Sequence, residues 1–209
     1  MGGNQGGVDF SRQQHRPGLQ FLVSTGRHHE FESLEERRLL LALDFLRVAE
    51  VLPQPFRLGF GHSLGGVGHI PDFLAGLPDG TWWLMDVRPR CRIGEGDGLK
   101  FAAAAKVAAA CGWHYAVVPG WRPHVISVLD ALSAQRRPLE DPLGLQGELL
   151  GAVAGRSRVF GDLVEATRLP AVARAHALHL IWHGRLAIEL AQPLSDATPA
   201  WAGAGRAAG

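Results

Sequence analysis

The sequence predicts an α/β protein in two parts. A helix, three successive strands, a second helix, a fourth strand and a third helix come first, and a smaller helical segment ending in β structure follows. Three observations carry this reading. "SLEERRLLLALDFLRVAEVL" opens with a capping signature and repeats apolar residues at helical spacing. "QPFRLGF", "HIPDFLAG" and "TWWLMDVRP" are short apolar runs set apart by glycine- or proline-rich turns. The Pro- and charge-rich "QRRPLEDPLG" then divides these elements from a helix-rich remainder.

Residues 1–19 are rich in Gly, Gln and Arg and are expected to form a loose, disordered tail. The first helix is expected from Ser33 through the "AEVL" segment. Ser33 serves as its cap, and Glu36, three residues later, completes a capping box. The glycine-rich "GHSLGGVG" reads as a hairpin tip between the first two strands, and "PDG" as the turn between the second and third. Pro89 ends the third strand. The second helix, "LKFAAAAKVAAACG", stops at Gly112, "WHYAVVPG" is the fourth strand, and "PHVISVLDALSAQ" is the third helix. One domain is therefore expected over 20–136, with a linker at 137–142, a second domain over 143–198 and a flexible tail at 199–209.

In the second domain, "LGLQGELLGAVA" and "FGDLVEATRL" read as helices. "PAVARAHALHLIWHG" is a third, opened by Pro170 and closed by Gly184, and "RLAIEL" alternates as a strand. Three helices, the last two joined by a tight turn, and then a β segment are in winged helix-turn-helix order.

Bulk composition narrows the function classes. A chain of 209 residues with 46% hydrophobic content can build one ordinary core or two small ones. A net charge of +1 announces no nucleic-acid partner by itself, although 21 Lys and Arg leave room for local basic patches. Two cysteines, Cys91 and Cys111, are too few for a secreted disulfide scaffold and show no CxxC spacing. No apolar run approaches the roughly 20 residues that span a bilayer, and the start lacks the apolar core of a signal peptide. A cytoplasmic protein without a membrane partner is expected.

The chemistry-bearing residues are acids in unexpected company. Asp72 and Asp86 sit in or beside segments that otherwise read as buried strands, where a carboxylate is costly unless a cation compensates it. Antiparallel neighbours lie about 5 Å apart, so the two carboxylates could share one ion. Mg²⁺ is suited to such a site, since it takes one or two carboxylates plus water and substrate phosphate. The upstream helix can bring Glu35 as a third acid. Arg88, two places after Asp86, points to the same sheet face. An acid, then a second acid followed at plus two by a cation, is the layout of the PD-(D/E)xK nucleases, whose metal binds the scissile phosphate and activates water. The same residues are also compatible with an ordinary strand-end salt bridge.

Other candidates are weaker. His69, near Asp72, could be a ligand or simply structural. His176, His179 and His183 share one helix face, but no Cys or acid falls at zinc-ligand spacing around them, so packing, or contact with a partner or a DNA backbone, is expected. Trp82 and Trp83 should place one indole on each sheet face. On the last helix, Arg174 and the three histidines are the obvious polar readers, fewer than sequence-specific DNA recognition usually presents. Arg156, Arg158, Arg168 and Arg185 could contact phosphate.

"FESLEERRLLLALDF", "QPFRL", "HIPDFLAG", "LMDVRPR", "KFAAAAKVAAACGWHYAVV" and "LHLIWHGRLAIELAQPLSD" together resemble TnsA-like heteromeric transposase endonuclease subunits, over residues 20 to about 198. The resemblance implies a restriction-endonuclease-like core followed by a small winged-helix domain. It implies Mg²⁺-dependent cutting of double-stranded DNA at transposon ends, with Mn²⁺ able to substitute. It also implies two partners, a DDE-type transposase and an ATPase regulator. By position, Glu35 matches the acid of the first helix, with Glu36 as its alternative; Asp72 matches the acid of "PDF", and Asp86 the second metal-site position. Arg88 stands where the nuclease pattern has lysine. A guanidinium cannot shuttle a proton, so Arg88 is expected to act electrostatically, with Lys100 or Lys106 as candidate displaced lysines. A non-catalytic assembly subunit that keeps the nuclease fold is the alternative expectation.

Overall fold

A computed structural model describes residues 15–62 and 65–204; among them the chain is mixed α/β, with six α-helices and four small sheets. β1 (His15–Leu22) and β2 (Arg27–Ser33) form an antiparallel hairpin. Residues 15–19, expected to be loose, therefore lie in a strand, and residues 1–14 fall outside the described part. The glycine that disguised this strand has a packing reason. A Cβ on Gly18 would come within 2.7 Å of the Phe31 ring, so the close approach of the two strands requires its absence.

α1 (Leu34–Phe45) starts as expected. Ser33 Oγ accepts the Glu36 N–H, and the Glu36 carboxylate accepts from the Ser33 hydroxyl and the Glu32 N–H. The helix ends earlier than its apolar periodicity suggested. Arg47 takes a left-handed φ of 58°, and the Val48 N–H turns back to the Leu43 carbonyl. "EVLP" is then free to become β3 (Glu50–Pro53), an edge strand of the main sheet. "QPFRLGF" is consequently not a strand of that sheet. Part of it forms β4 (Leu58–His62), which pairs with β5 (Gly65–His69) in a separate hairpin.

The main sheet has the order β3, β6 (Phe73–Gly76), β7 (Trp82–Val87) and β8 (His114–Val118). Its first three strands are antiparallel. β8 runs parallel to β7 after a crossover through α2 (Asp97–Ala110). The β6–β7 turn uses Gly80 at φ 85° in "PDG". α1 covers one face, with Leu39, Leu40 and Leu43 against Phe73, Ala75 and Met85. α2 covers the other, with Ala104 and Ala108 against Leu74 and Leu84. Trp83 joins the first cluster and Trp82 the second, one indole to each face.

The remaining elements are α3 (Pro123–Ser133), α4 (Leu145–Ala152), β9 (Arg158–Val159), α5 (Phe160–Glu165), α6 (Pro170–Trp182), β10 (Leu186–Ile188) and β11 (Pro199–Ala202). Both Asp141 oxygens accept backbone N–H groups at the start of α4, from Leu145 and Gln146. Residues 199–202, expected to be flexible, form the middle strand of a β10-β11-β9 sheet and bury Ala200 completely. No helix among the described residues is long and apolar enough to cross a membrane.

α3 ties the two parts together. Leu41 of α1, Leu132 of α3, Leu149 of α4 and Leu180 of α6 belong to one buried cluster. Because Leu132 is fully buried in that shared core, Leu132→Ala should cost about 2–5 kcal/mol. Urea unfolding followed by both tryptophan fluorescence and far-ultraviolet dichroism should shift as one transition. Separate shifts by the two probes would show that the parts unfold independently.

Candidate functional site

The site grows from the β6–β7 register. Phe73 pairs with Met85 and Leu74 with Leu84, so continuing the pairing by one place sets Asp72 opposite Asp86. Leu74 and Leu84 face α2, and alternation places both aspartates on that same face. Backbone hydrogen bonds hold Asp72 at the strand end. Its N–H donates to the Met85 carbonyl at 3.1 Å, and its carbonyl accepts the Gln54 N–H at 2.9 Å. Its Oδ2 takes the Val87 N–H at 2.6 Å, in place of a ladder carbonyl.

Asp86 is 2% exposed. Tyr115, on the neighbouring parallel strand, donates its hydroxyl to Asp86 Oδ2 at 2.5 Å. His69 Nε2 lies 2.9 Å from Asp86 Oδ1. The two atoms are out of line for a hydrogen bond, and both are buried without a hydrogen-bond partner. His69 is therefore placed to compensate Asp86 as a charge partner when its ring is protonated. Tyr115 is the chain's single tyrosine. Burial, followed by its bond to Asp86, raises its hydroxyl well above the ordinary value, so it stays a proton donor throughout the physiological range. The sequence did not single out Tyr115. A polar side chain in the apolar "WHYAVV" was the available signal, but it acquires meaning only once β8 is known to lie beside β7.

Burial pushes the Asp72 carboxyl up to about 7, against the pull of the Val87 N–H. The charges of Glu36, Asp86 and Glu32 add to the rise, in that order. Glu36, which also caps α1, is therefore the helix acid whose charge acts on the pair. Glu35 is ion-paired with Arg38 at 2.5 Å, and its Oε2 is buried without a partner. Among the described residues no three His, Cys, Asp or Glu side chains are gathered to hold a metal ion. Glu35, expected as the third acid beside Asp72 and Asp86, is thus engaged by Arg38 of its own helix.

Arg88 follows the expected face but has its own partner. Its Nε donates to Asp97 Oδ2 at 3.1 Å, and Lys100 Nζ reaches Asp97 Oδ1 at 3.3 Å. The Gly94 N–H also binds Asp97 Oδ2. That bond, with Lys100 and Arg88, holds the Asp97 carboxyl below the usual range. Asp97 was not anticipated as a site residue. It gathers Arg88 and Lys100, one of the two displaced-lysine candidates, at the start of α2.

The fit to a divalent cation can be judged from these donors. Two opposed carboxylates, one buried between Tyr115 and His69 and the other raised by burial to about 7, suit a hard cation completed by water and phosphate. They do not make a closed cage of side chains.

The remaining candidates have structural partners. His179 Nδ1 meets the Gln135 carbonyl at 2.8 Å and His183 Nε2 the Arg136 carbonyl at 3.2 Å, while His176 lies 3.9 Å from Asp141. The histidine face of α6 thus packs on the segment joining the two parts. Arg174 pairs with Asp196 at 2.7 Å and lies over the Phe160 ring. Arg168 pairs with Glu148, and Arg185 donates to Gln146. Cys91 and Cys111 are free and exposed.

No family model matches the chain, and a search of curated proteins finds no match.

The raised Asp72 value makes stability depend on pH in a defined direction. An acid with a folded value above its unfolded value of about 4 favours folding fully below pH 4. That contribution is lost as pH rises towards 7. Asp72→Asn keeps an acceptor for Val87 without the charge. At pH 8 it should be more stable than wild type by about 1–4 kcal/mol, and the difference should vanish below pH 4. Urea unfolding at both pH values measures this. Adding Mg²⁺ at pH 8 should narrow the gap by stabilising the wild type alone.

Proposed function

We propose that this protein is a TnsA-like endonuclease subunit of a heteromeric transposase, hydrolysing DNA phosphodiester bonds at transposon ends with Mg²⁺ or Mn²⁺. The observation that carries the reading is the opposition of Asp72 and Asp86 across β6 and β7, with Asp86 buried between Tyr115 and His69. The element order supports a restriction-endonuclease-like core, since α1, the antiparallel β3-β6-β7 meander, α2 and the parallel β8 follow the expected sequence. The order α4, β9, α5, α6, β10, β11 with its small antiparallel sheet supports a winged-helix module. Its arginines on α6 and nearby are engaged internally, which favours docking to a partner over base reading.

Asp72 and Asp86 would hold the cation, which when bound supplies charge to the scissile phosphate and lowers the pKa of a bound water. Tyr115 fixes the orientation of Asp86 by occupying one of its oxygens. Asp72 keeps its place through the Val87 N–H. Arg88 contributes positive charge beside the phosphate and moves no proton. With Arg90, Arg92 and Lys100, Arg88 lines the segment after β7 with cations for the DNA backbone. Double-stranded transposon-end DNA, a DDE-type transposase and an ATPase regulator are the proposed partners.

One observation favours a second reading, a non-catalytic assembly subunit. Asp97 holds the Arg88 guanidinium, so the cation at the catalytic position is already neutralised. Cleavage of transposon-end DNA in the presence of the partner transposase and Mg²⁺ separates the two. Asp72→Ala and Asp86→Ala should each lower cutting at least 100-fold while complex assembly persists. Equal cutting by wild type and both variants would exclude the aspartate site. Assembly without wild-type cutting would select the second reading. Arg88→Lys should cut as fast as wild type or faster, and a large loss would assign Arg88 a role that lysine cannot fill.

A further inference from the structure

The segment joining β7 to α2 is basic. From Arg88 to Lys100 it carries four cations (Arg88, Arg90, Arg92 and Lys100) and two acids (Glu95 and Asp97), a local charge of +2 in a chain whose total is +1. Arg88 and Lys100 are both tied to Asp97, which is only 6% exposed. Asp97 holds them selectively. Its Oδ2 takes the Arg88 Nε–H and the Gly94 N–H, each at 3.1 Å, and its Oδ1 takes one Lys100 N–H at 3.3 Å. A guanidinium has five N–H donors and an ammonium three, so Asp97 leaves over the Arg88 Nη fork and two Lys100 donors. These donors are open to solvent, because the Arg88 and Lys100 side chains are 44% and 36% exposed.

The anchor itself is held from three directions. Helical spacing sets Lys100 one turn from Asp97, the Gly94 N–H pins the carboxylate from the loop, and the Arg88 N–H bonds to the Val118 carbonyl at 3.0 Å, fixing the strand end against β8. The loop between them is bare. A Cβ at Gly94, Gly96 or Gly98 would meet nothing within 4 Å, and none of the three has a positive φ. Neither packing nor backbone conformation within the chain requires glycine there, and the missing side chains leave room for a group approaching Arg88 and Lys100. One carboxylate cancels only one of two cations, so the Arg88–Asp97–Lys100 group keeps a single positive charge, the match of one phosphodiester.

We propose that Asp97 is a positioning residue that sets Arg88 and Lys100 as a two-pronged clamp on one phosphodiester of the DNA backbone. The Arg88 Nη fork donates to two phosphate oxygens, and Lys100 adds a point charge. The proposal rests on the nuclease reading, which brings a DNA strand to the aspartate pair. Arg88 stands two residues after Asp86, about 7 Å along an extended strand, so the clamped phosphate lies at that site or beside it.

Fluorescence anisotropy with a labelled DNA duplex, on the full-length protein without metal ion and over a range of salt, tests the clamp apart from cutting. Arg88→Gln and Lys100→Gln should each weaken binding several-fold and lower the salt slope by about one. Asp97→Asn keeps an acceptor for the Gly94 N–H and removes a negative charge. If Asp97 merely neutralised Arg88, this variant would bind DNA more tightly, whereas loss of positioning should weaken binding several-fold. In a chain already carrying Arg88→Gln and Lys100→Gln, Asp97→Asn should cause no further loss, because Asp97 acts through those two side chains. In nitrogen-15 NMR of the wild type, the Arg88 Nε–H signal should respond to dimethyl phosphate and not to acetate. No duplex binding by the wild type, unchanged or tighter binding by Asp97→Asn, a full further loss in the triple variant, or an equal response to acetate would each overturn the proposal. Cutting that needs Asp72 and Asp86 while Asp97→Asn binds normally removes the clamp and keeps the nuclease reading. A working clamp with both aspartates dispensable for cutting does the reverse.

Discussion

The antiparallel register between β6 and β7 is the constraint on which the candidate site depends. Side chains in a strand alternate between faces, so a slip of one residue would turn Asp86 from the α2 side to the α1 side. The apolar residues around it prevent that slip. Phe73 and Met85 must reach the α1 face, and Leu74 and Leu84 the α2 face. Hydrophobic packing on both faces thus fixes where the two carboxylates meet. The tight Gly80 turn between the strands reinforces the same pairing.

Once the register is set, electrostatics shapes what the site can do. Two acids opposed at a strand end, one of them buried, repel one another and favour either a proton or a cation. Asp72 answers with a carboxyl raised to about 7, and Asp86 with the Tyr115 hydroxyl on one oxygen only. The cations nearby are organised separately, around Asp97 at the start of α2. The aspartate pair and the Arg88–Asp97–Lys100 group are therefore two separate charge clusters.

α3 gives the molecule its second organising feature. By contributing Leu132 to a core shared with α1, α4 and α6, it makes the C-terminal module an extension of the first part's packing rather than a bead on a linker. His176 and His179 of α6, with His183 just after it, complete that attachment by contacting the intervening segment.

Much of this was legible in the sequence wherever the signal was local. Ser33 and Glu36 marked the start of α1, because a capping box involves only residues three apart. The "PDG" turn, the alanine-rich α2, Pro123 and Pro170 at helix starts, and the split of Trp82 and Trp83 between faces were readable for the same reason. So was the pairing of Asp72 with Asp86, since a short turn leaves few registers. Pairings between distant segments were not legible. β1 was hidden by glycine that Phe31 requires, β3 by apolar residues that continue the helical period of α1, and β11 by a tail composition that its strand partners override. The same limit applied to the site. Sequence spacing offered Glu35, Asp72, Asp86 and Arg88, but only the tertiary structure decided that Glu35 pairs with Arg38, that Asp97 takes Arg88, and that Tyr115 and His69 flank Asp86. A chain specifies its local geometry through neighbouring residues, whereas the partners of a buried charge are chosen by which elements pack against it.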